Sequence, residues 1–225
     1  LGGGSATHLT NVTITDNSAG AGGGLFTLYC DPTLTNVTIA NNSAFYTGGG
    51  LNIFGSFPNF SEENRCNIYS NTITNRGSGA DISALWQNNG NWYSEDDPIG
   101  VIVDTFSVIN PTDIHAAPLD IFTFDILNGV FEQIEEDLYV SLDGDNNNDG
   151  LTMETSLKTI QHATTLISAD SLLPKTIYLA NGVYSASTNG EIFPVIVPKY
   201  VSIIGESEEN TILDAENNSD VMRFD

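Results

Sequence analysis

The residues of this chain best suited to chemistry stand in one loop, Asp143-Gly-Asp145-Asn-Asn147-Asn-Asp149-Gly150. Oxygen-bearing side chains at alternate positions ahead of a glycine resemble the first half of a calcium loop, whose hard donors suit a hard cation. Asp143, Asp145, Asn147 and Asp149 are therefore the candidate ligands, and Ca2+ the candidate ion. The second half departs from that pattern. The twelfth position counted from Asp145, where a bidentate Glu belongs, is Ser156, and Glu154 comes two residues early. The plainer reading is a run of Asx turns leading into a helix. A second candidate group is Trp86, Trp92 and Tyr93, beside the polar stretch QNNGNWYSEDDP. Such rings either offer a stacking platform for a sugar or close the end of a core. His8, His115 and His162 lie far apart in the sequence with no partner in view, so no general base can be assembled from them and no catalytic residue is expected.

The elements that must position these groups are written in a repeat. LTNVTITDNSA, Leu9 to Ala19, returns as LTNVTIANNSA, Leu34 to Ala44, at an offset of 25 residues. Each copy is followed by a glycine triplet, Gly22 to Gly24 and Gly48 to Gly50. A worn third copy follows as Cys66-Asn-Ile-Tyr-Ser-Asn71, with Gly77 and Gly79 behind it. Such a period marks a solenoid. Within the phrase Val12 and Ile14, Val37 and Ile39, and Cys66 and Ile68 are apolar at every second position, which is strand periodicity. One short strand per period cannot bury its apolar face alone. Neighbouring periods must stack, and their strands pair in parallel at about 4.8 Å. Asn17, Asn42 and Asn71 follow the strands, where asparagine tolerates left-handed angles and where stacked amides can bond along the axis. The glycine triplets read as corners too tight for a Cβ, and no helix pattern follows them to make a phosphate-binding loop.

Only 40% of the 225 residues are hydrophobic, which fits narrow stacked cores. The formal net charge of -23 speaks against nucleic acid and anionic membrane as partners. It is read first as a solvated surface. No run of about eighteen apolar residues is present, so membrane insertion is not expected. The chain opens at Leu1 in a glycine-rich corner without Met, and translation is expected to start upstream. Cys66 stands where Val12 and Val37 stand in the other copies and is expected in the core. Whether it pairs with Cys30 is left open by sequence.

After residue 84 the repeat breaks. IGVIVDTFSVI, Ile99 to Ile109, reads as a strand. Phe122 to Ile134 alternates on both sides of Asn128-Gly129, which predicts a β-hairpin. From Asp137 a fresh pattern begins. Leu157, Ile160, Ala163, Leu166 and Ile167 recur at three- and four-residue spacing and predict a short helix with one apolar face, suited to cap an open β-helix end.

The run from Tyr139 to Ile160, a strand, an Asp/Asn/Gly loop and then Ser156-Leu-Lys158-Thr-Ile160, resembles the opening of pectate-lyase-like right-handed β-helix domains of secreted bacterial proteins. TIYLANGVYS, YVSIIGES and NTILDA look like the first coils of that family. The phrases with Asn-Ser-Ala and Gly-Gly-Gly are similar to repeats of bacterial surface proteins, including polymorphic outer-membrane protein repeats. For lyase activity the resemblance implies an Arg or Lys base beside acidic calcium ligands, and only Arg65, Arg76 and the nearby Asp81 offer themselves. A polygalacturonase-like alternative would need carboxylates spaced as acid and base. Asp96-Asp97, the one adjacent aspartate pair, falls in the connecting loop.

The expected fold is all-β: a right-handed parallel β-helix with a β-hairpin connector and one short capping α-helix. Residues 1–84 are expected to be the last coils of a first β-helix, 85–136 a closing and connecting β segment, and 137–225 the cap helix and first coils of a second. The expected role is structural or adhesive, non-catalytic, and secreted or at the cell surface. Copies of the chain would join head to tail through open β-helix ends, and polysaccharide is the other candidate partner. A carbohydrate-active enzyme or polysaccharide-binding module is the alternative.

Overall fold

The computed structural model describes residues 7–75, 78–85 and 98–224. Two compact units, Leu1–Phe131 and Glu132–Asp225, each carry their own core. Every strand pair among the described residues is parallel, and in each unit the strands stack as a β-solenoid.

In the first unit one coil runs β1 (His8–Thr15), β2 (Ser18–Ala21) and β3 (Leu25–Leu28), and the next β4 (Thr33–Ala40), β5 (Ser43–Thr47) and β6 (Leu51–Phe54). The third comprises β7 (Asn59–Phe60), β8 (Cys66–Tyr69), β9 (Thr72–Ile73) and β10 (Ile82–Leu85). Strands β11 (Ile99–Phe106), β12 (Ala116–Ala117) and β13 (Phe122–Gly129) follow. They stack into three faces, β1-β4-β8-β11-β13, β2-β5-β9 and β3-β6-β10-β12. The repeat of the sequence becomes the register of the first face: Val12 lies opposite Val37 and Ile14 opposite Ile39. Leu34, Val37, Ile39, Cys66, Ile68, Val101 and Val103 point inward and are buried, as period-two alternation requires. Cys66 fills a core place, and both cysteines are free thiols.

Two details of this unit differ from expectation. Phe122–Gly129 is one strand, not half of a hairpin: Asn128 lies opposite Thr105 and Gly129 opposite Phe106, both on β11. The open edge of β11 offers the whole eight-residue strand a parallel partner, whereas a fold-back would reach only the shorter stretch from Val130 to Ile134, interrupted by Glu132 and Gln133. The left-handed residues at the corner are Asp16, Asn41 and Ser70, each directly before the repeated asparagine, not Asn17, Asn42 and Asn71 themselves. That turn is what swings the following amide inward. A second left-handed pair, Asn11 and Asn36, sits inside β1 and β4, and Asn36 Nδ2 donates to Asn11 Oδ1 at 2.8 Å.

In the second unit β14 (Leu138–Val140) leads through the acidic loop to the helix α1 (Ile160–Leu166). β15 (Lys175–Leu179), β16 (Gly182–Ser185) and β17 (Val195–Val197) form one coil, and β18 (Val201–Gly205), β19 (Thr211–Asp214) and β20 (Met222–Phe224) the next. The predicted apolar face is the one that packs: Leu157, Ile160, Ala163 and Ile167 are fully buried against β14, β15 and β17. Ile134 and Ile167 bridge beside it, so the helix covers the first strands of its solenoid.

Candidate functional site

The described residues of the first unit carry a continuous polar array, an amide ladder along one corner. Asn17 donates through its backbone N–H (3.0 Å) and Nδ2 (3.1 Å) to Asn42 Oδ1. Asn42 repeats this on Asn71 Oδ1 at 2.9 and 3.2 Å. Asn71 in turn donates to Asp81 Oδ1 at 3.1 and 3.0 Å. The Nδ2 groups of Asn42 and Asn71 also each reach the carbonyl two residues back and one in the coil before, so both ladder amides are fully engaged.

The glycine triplets make this possible. Gly24, Gly50 and Asp81 share one register position, since Leu25 lies opposite Leu51 and Leu51 opposite Ile82. A Cβ on Gly24 would stand 2.9 Å from Asn42 Nδ2, and one on Gly50 would stand 2.7 Å from Asn71 Nδ2. Gly48, at φ +59°, makes the sharp corner just before. In the third coil the glycine gives way to Asp81. Its carboxylate enters the space a fourth amide would fill.

Asp81 is 1% exposed, and burial pushes its carboxyl up to about 7 against hydrogen bonds from Ser107 and Asn71 that pull it down. One coil on, His115 holds the equivalent place and accepts through its carbonyl from the N–H groups of Asp81 and Ile82. Its ring is buried, with Nδ1 beside the N–H and hydroxyl of Thr112, and burial holds the imidazole down at about 4. Its Nε2 has no partner among the described residues.

The other candidates are held by separate partners. Arg65 donates to the carbonyls of Val103 and Asp125 and pairs with the Asp125 carboxylate at 2.6 Å, tying the third coil to β11 and β13. That bond keeps Asp125 below the usual carboxylate range. Asp81 faces inward toward Asn71, so Arg65 and Asp81 serve different structures. Arg76, Trp86, Trp92, Tyr93 and Asp96-Asp97 lie outside the described residues. His8 opens β1 and His162 lies in α1.

The acidic loop is laced by its own hydrogen bonds. Asp145 Oδ1 accepts from the N–H and Nδ2 of Asn147, and Asp149 Oδ1 from Leu151 N–H. Asn146 Oδ1 accepts from Lys158 and Thr159, pinning the loop to the start of α1. Bonds from Asn147 lower Asp145, and bonds from Thr155 and Leu151 lower Asp149. Among the described residues no three His, Cys, Asp or Glu side chains come together to hold a metal.

Sequence reading passed over Glu191. It is 2% exposed and accepts from Ile160 N–H at 2.8 Å and Gln161 N–H at 3.0 Å, capping α1 from 30 residues away. Burial raises its carboxyl. Only the register between coils brings it there.

Stacked parallel strands on three faces, with an amide ladder at one corner, decide the class of molecule. This chain is a β-helix repeat protein. Residues 142–216 match the model of a family described as a protein of unknown function, DUF1565, a family of β-helix-type proteins. The stretch runs from the acidic loop into the corner between β19 and β20. No curated protein and no solved structure matches the chain.

Proposed function

We propose that this β-helix repeat protein is a non-catalytic structural or adhesive element, secreted or held at a cell surface, whose coils continue head to tail from one copy to the next. The observation that carries the reading is the one-sided pairing of the edge strands of the parallel stacks. Among the described residues each parallel stack ends in strands paired on one side only: β1, β13, β2, β9, β3 and β12 in the first unit, and β14, β18, β16, β19, β17 and β20 in the second. Edges of this kind accept a further strand wherever one is supplied. A contact between two different faces that does not close on itself grows into a filament. The pairing of Arg65 with Asp125, the ladder role of Asp81 and the capping role of Glu191 also support a scaffold, because each of these groups is used to hold coils together.

Phe224 is 74% exposed on the edge strand β20. Sedimentation velocity over a range of protein concentration tests the proposal: the chain should associate, and Phe224→Asp should lower its association at least tenfold while leaving its circular dichroism unchanged. An unchanged sedimentation profile in the variant would count against this edge as the contact.

A second reading is a polysaccharide-binding module of pectate-lyase-like type. It is favoured by the aromatic side chains exposed on the first unit, Phe26, Tyr29, Phe45, Tyr46 and Phe57. Turnover of an acidic polysaccharide, lost on substituting Arg65 or Arg76, would replace the structural reading with an enzymatic one.

A further inference from the structure

In two successive coils the corner position is a glycine that makes room for the amide of the next coil, and in the third it is a buried carboxyl that takes the place of an amide. The neighbours of that carboxyl come from every side. Asn71 lies on the preceding turn, Gly50 one coil before, Ser107 at the end of β11, and His115 one coil after. Only His115 among them titrates, and its ring engages Thr112. No lysine or arginine among the described residues faces Asp81.

An ionised carboxylate in this corner therefore has hydrogen bonds but no counter-charge among the described residues, and a buried charge without a partner is costly. A protonated carboxyl keeps its carbonyl oxygen for both Asn71 donors and turns its O–H toward the Ser107 hydroxyl, which itself accepts from Ser70 N–H at 2.8 Å. We propose that Asp81 makes the first solenoid acid-locked: protonated, it completes the ladder as a neutral rung, and ionised, it leaves an uncompensated charge that loosens the junction of the third coil with its neighbours. The junction is the set of backbone bonds Leu51 N–H to Asp81 O, and Asp81 and Ile82 N–H to His115 O.

The buried position of Asp81 brings its titration toward neutrality, while His115 stays neutral over the same interval. Hydrogen exchange at the Leu51, Asp81 and Ile82 amides of the full chain, corrected for intrinsic rates, reads the junction directly. Protection there should fall at least tenfold between pH 5 and pH 8, with the β4 amides around Val37 changing much less. Asp81→Asn, which restores an amide rung, should abolish the fall. A fall of the same size in Asp81→Asn, or no fall in the natural sequence, overturns the proposal. Should that variant fail to fold, the 13C carboxyl shift of Asp81 in the natural sequence decides: half-titration near neutral pH supports the lock, and complete ionisation by pH 5 refutes it.

Discussion

Asn42 holds three coils at once, and single polar residues of this kind do the work that a thin core cannot. Its Nδ2 donates to Ile14 O in the coil before, Ala40 O in its own and Asn71 Oδ1 in the coil after, while its own oxygen receives two donors from Asn17. Asn42→Ala would strand several buried groups, each costing about 1–3 kcal/mol. Chemical denaturation should show a loss of about 3 kcal/mol or more, against about 1 kcal/mol for Asn17→Ala at the exposed end of the ladder. The buried pair at the third corner sets the pH response. Asp81, raised to about 7, favours the folded state most at low pH, and its contribution is lost as pH rises toward 7. His115, lowered to about 4, contributes fully only above the ordinary histidine range, and its contribution is lost as pH falls through about 4. Between about pH 4 and 6.5 the two slopes oppose. The natural sequence should show a nearly flat denaturation midpoint over that interval as far as these two groups govern it. Asp81→Asn should expose the histidine slope, a midpoint that climbs with pH.

At the scale of elements, α1 shows how a seven-residue helix is held. Thr159 accepts from His162 N–H as N-cap, and Glu191 takes the two N–H groups of Ile160 and Gln161. Glu191→Ala should cost about 2 kcal/mol in the second unit and free the helix from β17, while Glu191→Gln, which keeps an acceptor and sheds a buried charge, should cost about 1 kcal/mol or less. Thermal denaturation of the two variants checks the order. The helix itself was legible in sequence because the spacing of Leu157, Ile160, Ala163 and Ile167 is a local pattern. Strands β1, β4 and β8 were legible because the phrase that forms them repeats. Asn128-Gly129 misled because a hairpin is a local signal, and the partner that won, β11, lies a whole coil back in the sequence. Asp81 was read as a candidate with the arginines of the first unit because Arg76 lies close to it in sequence. Its true neighbours, Asn71 and Ser107, are set by the register of the corner, which is concealed because the glycine triplet of the earlier coils has become Gly79-Ala80-Asp81.

At the scale of the whole molecule, each unit is a short stack in which every coil touches mainly the coils beside it. Stability in such stacks is close to a sum of coil and interface terms, so an unpaired end is the weakest place and an added coil strengthens its neighbour. This makes the one-sided edge strands the features on which the proposed role turns. Electron microscopy of the protein at increasing concentration tests that role most directly. Head-to-tail completion predicts unbranched filaments with an axial repeat one chain long, and isolated particles of a single chain at every concentration would contradict it.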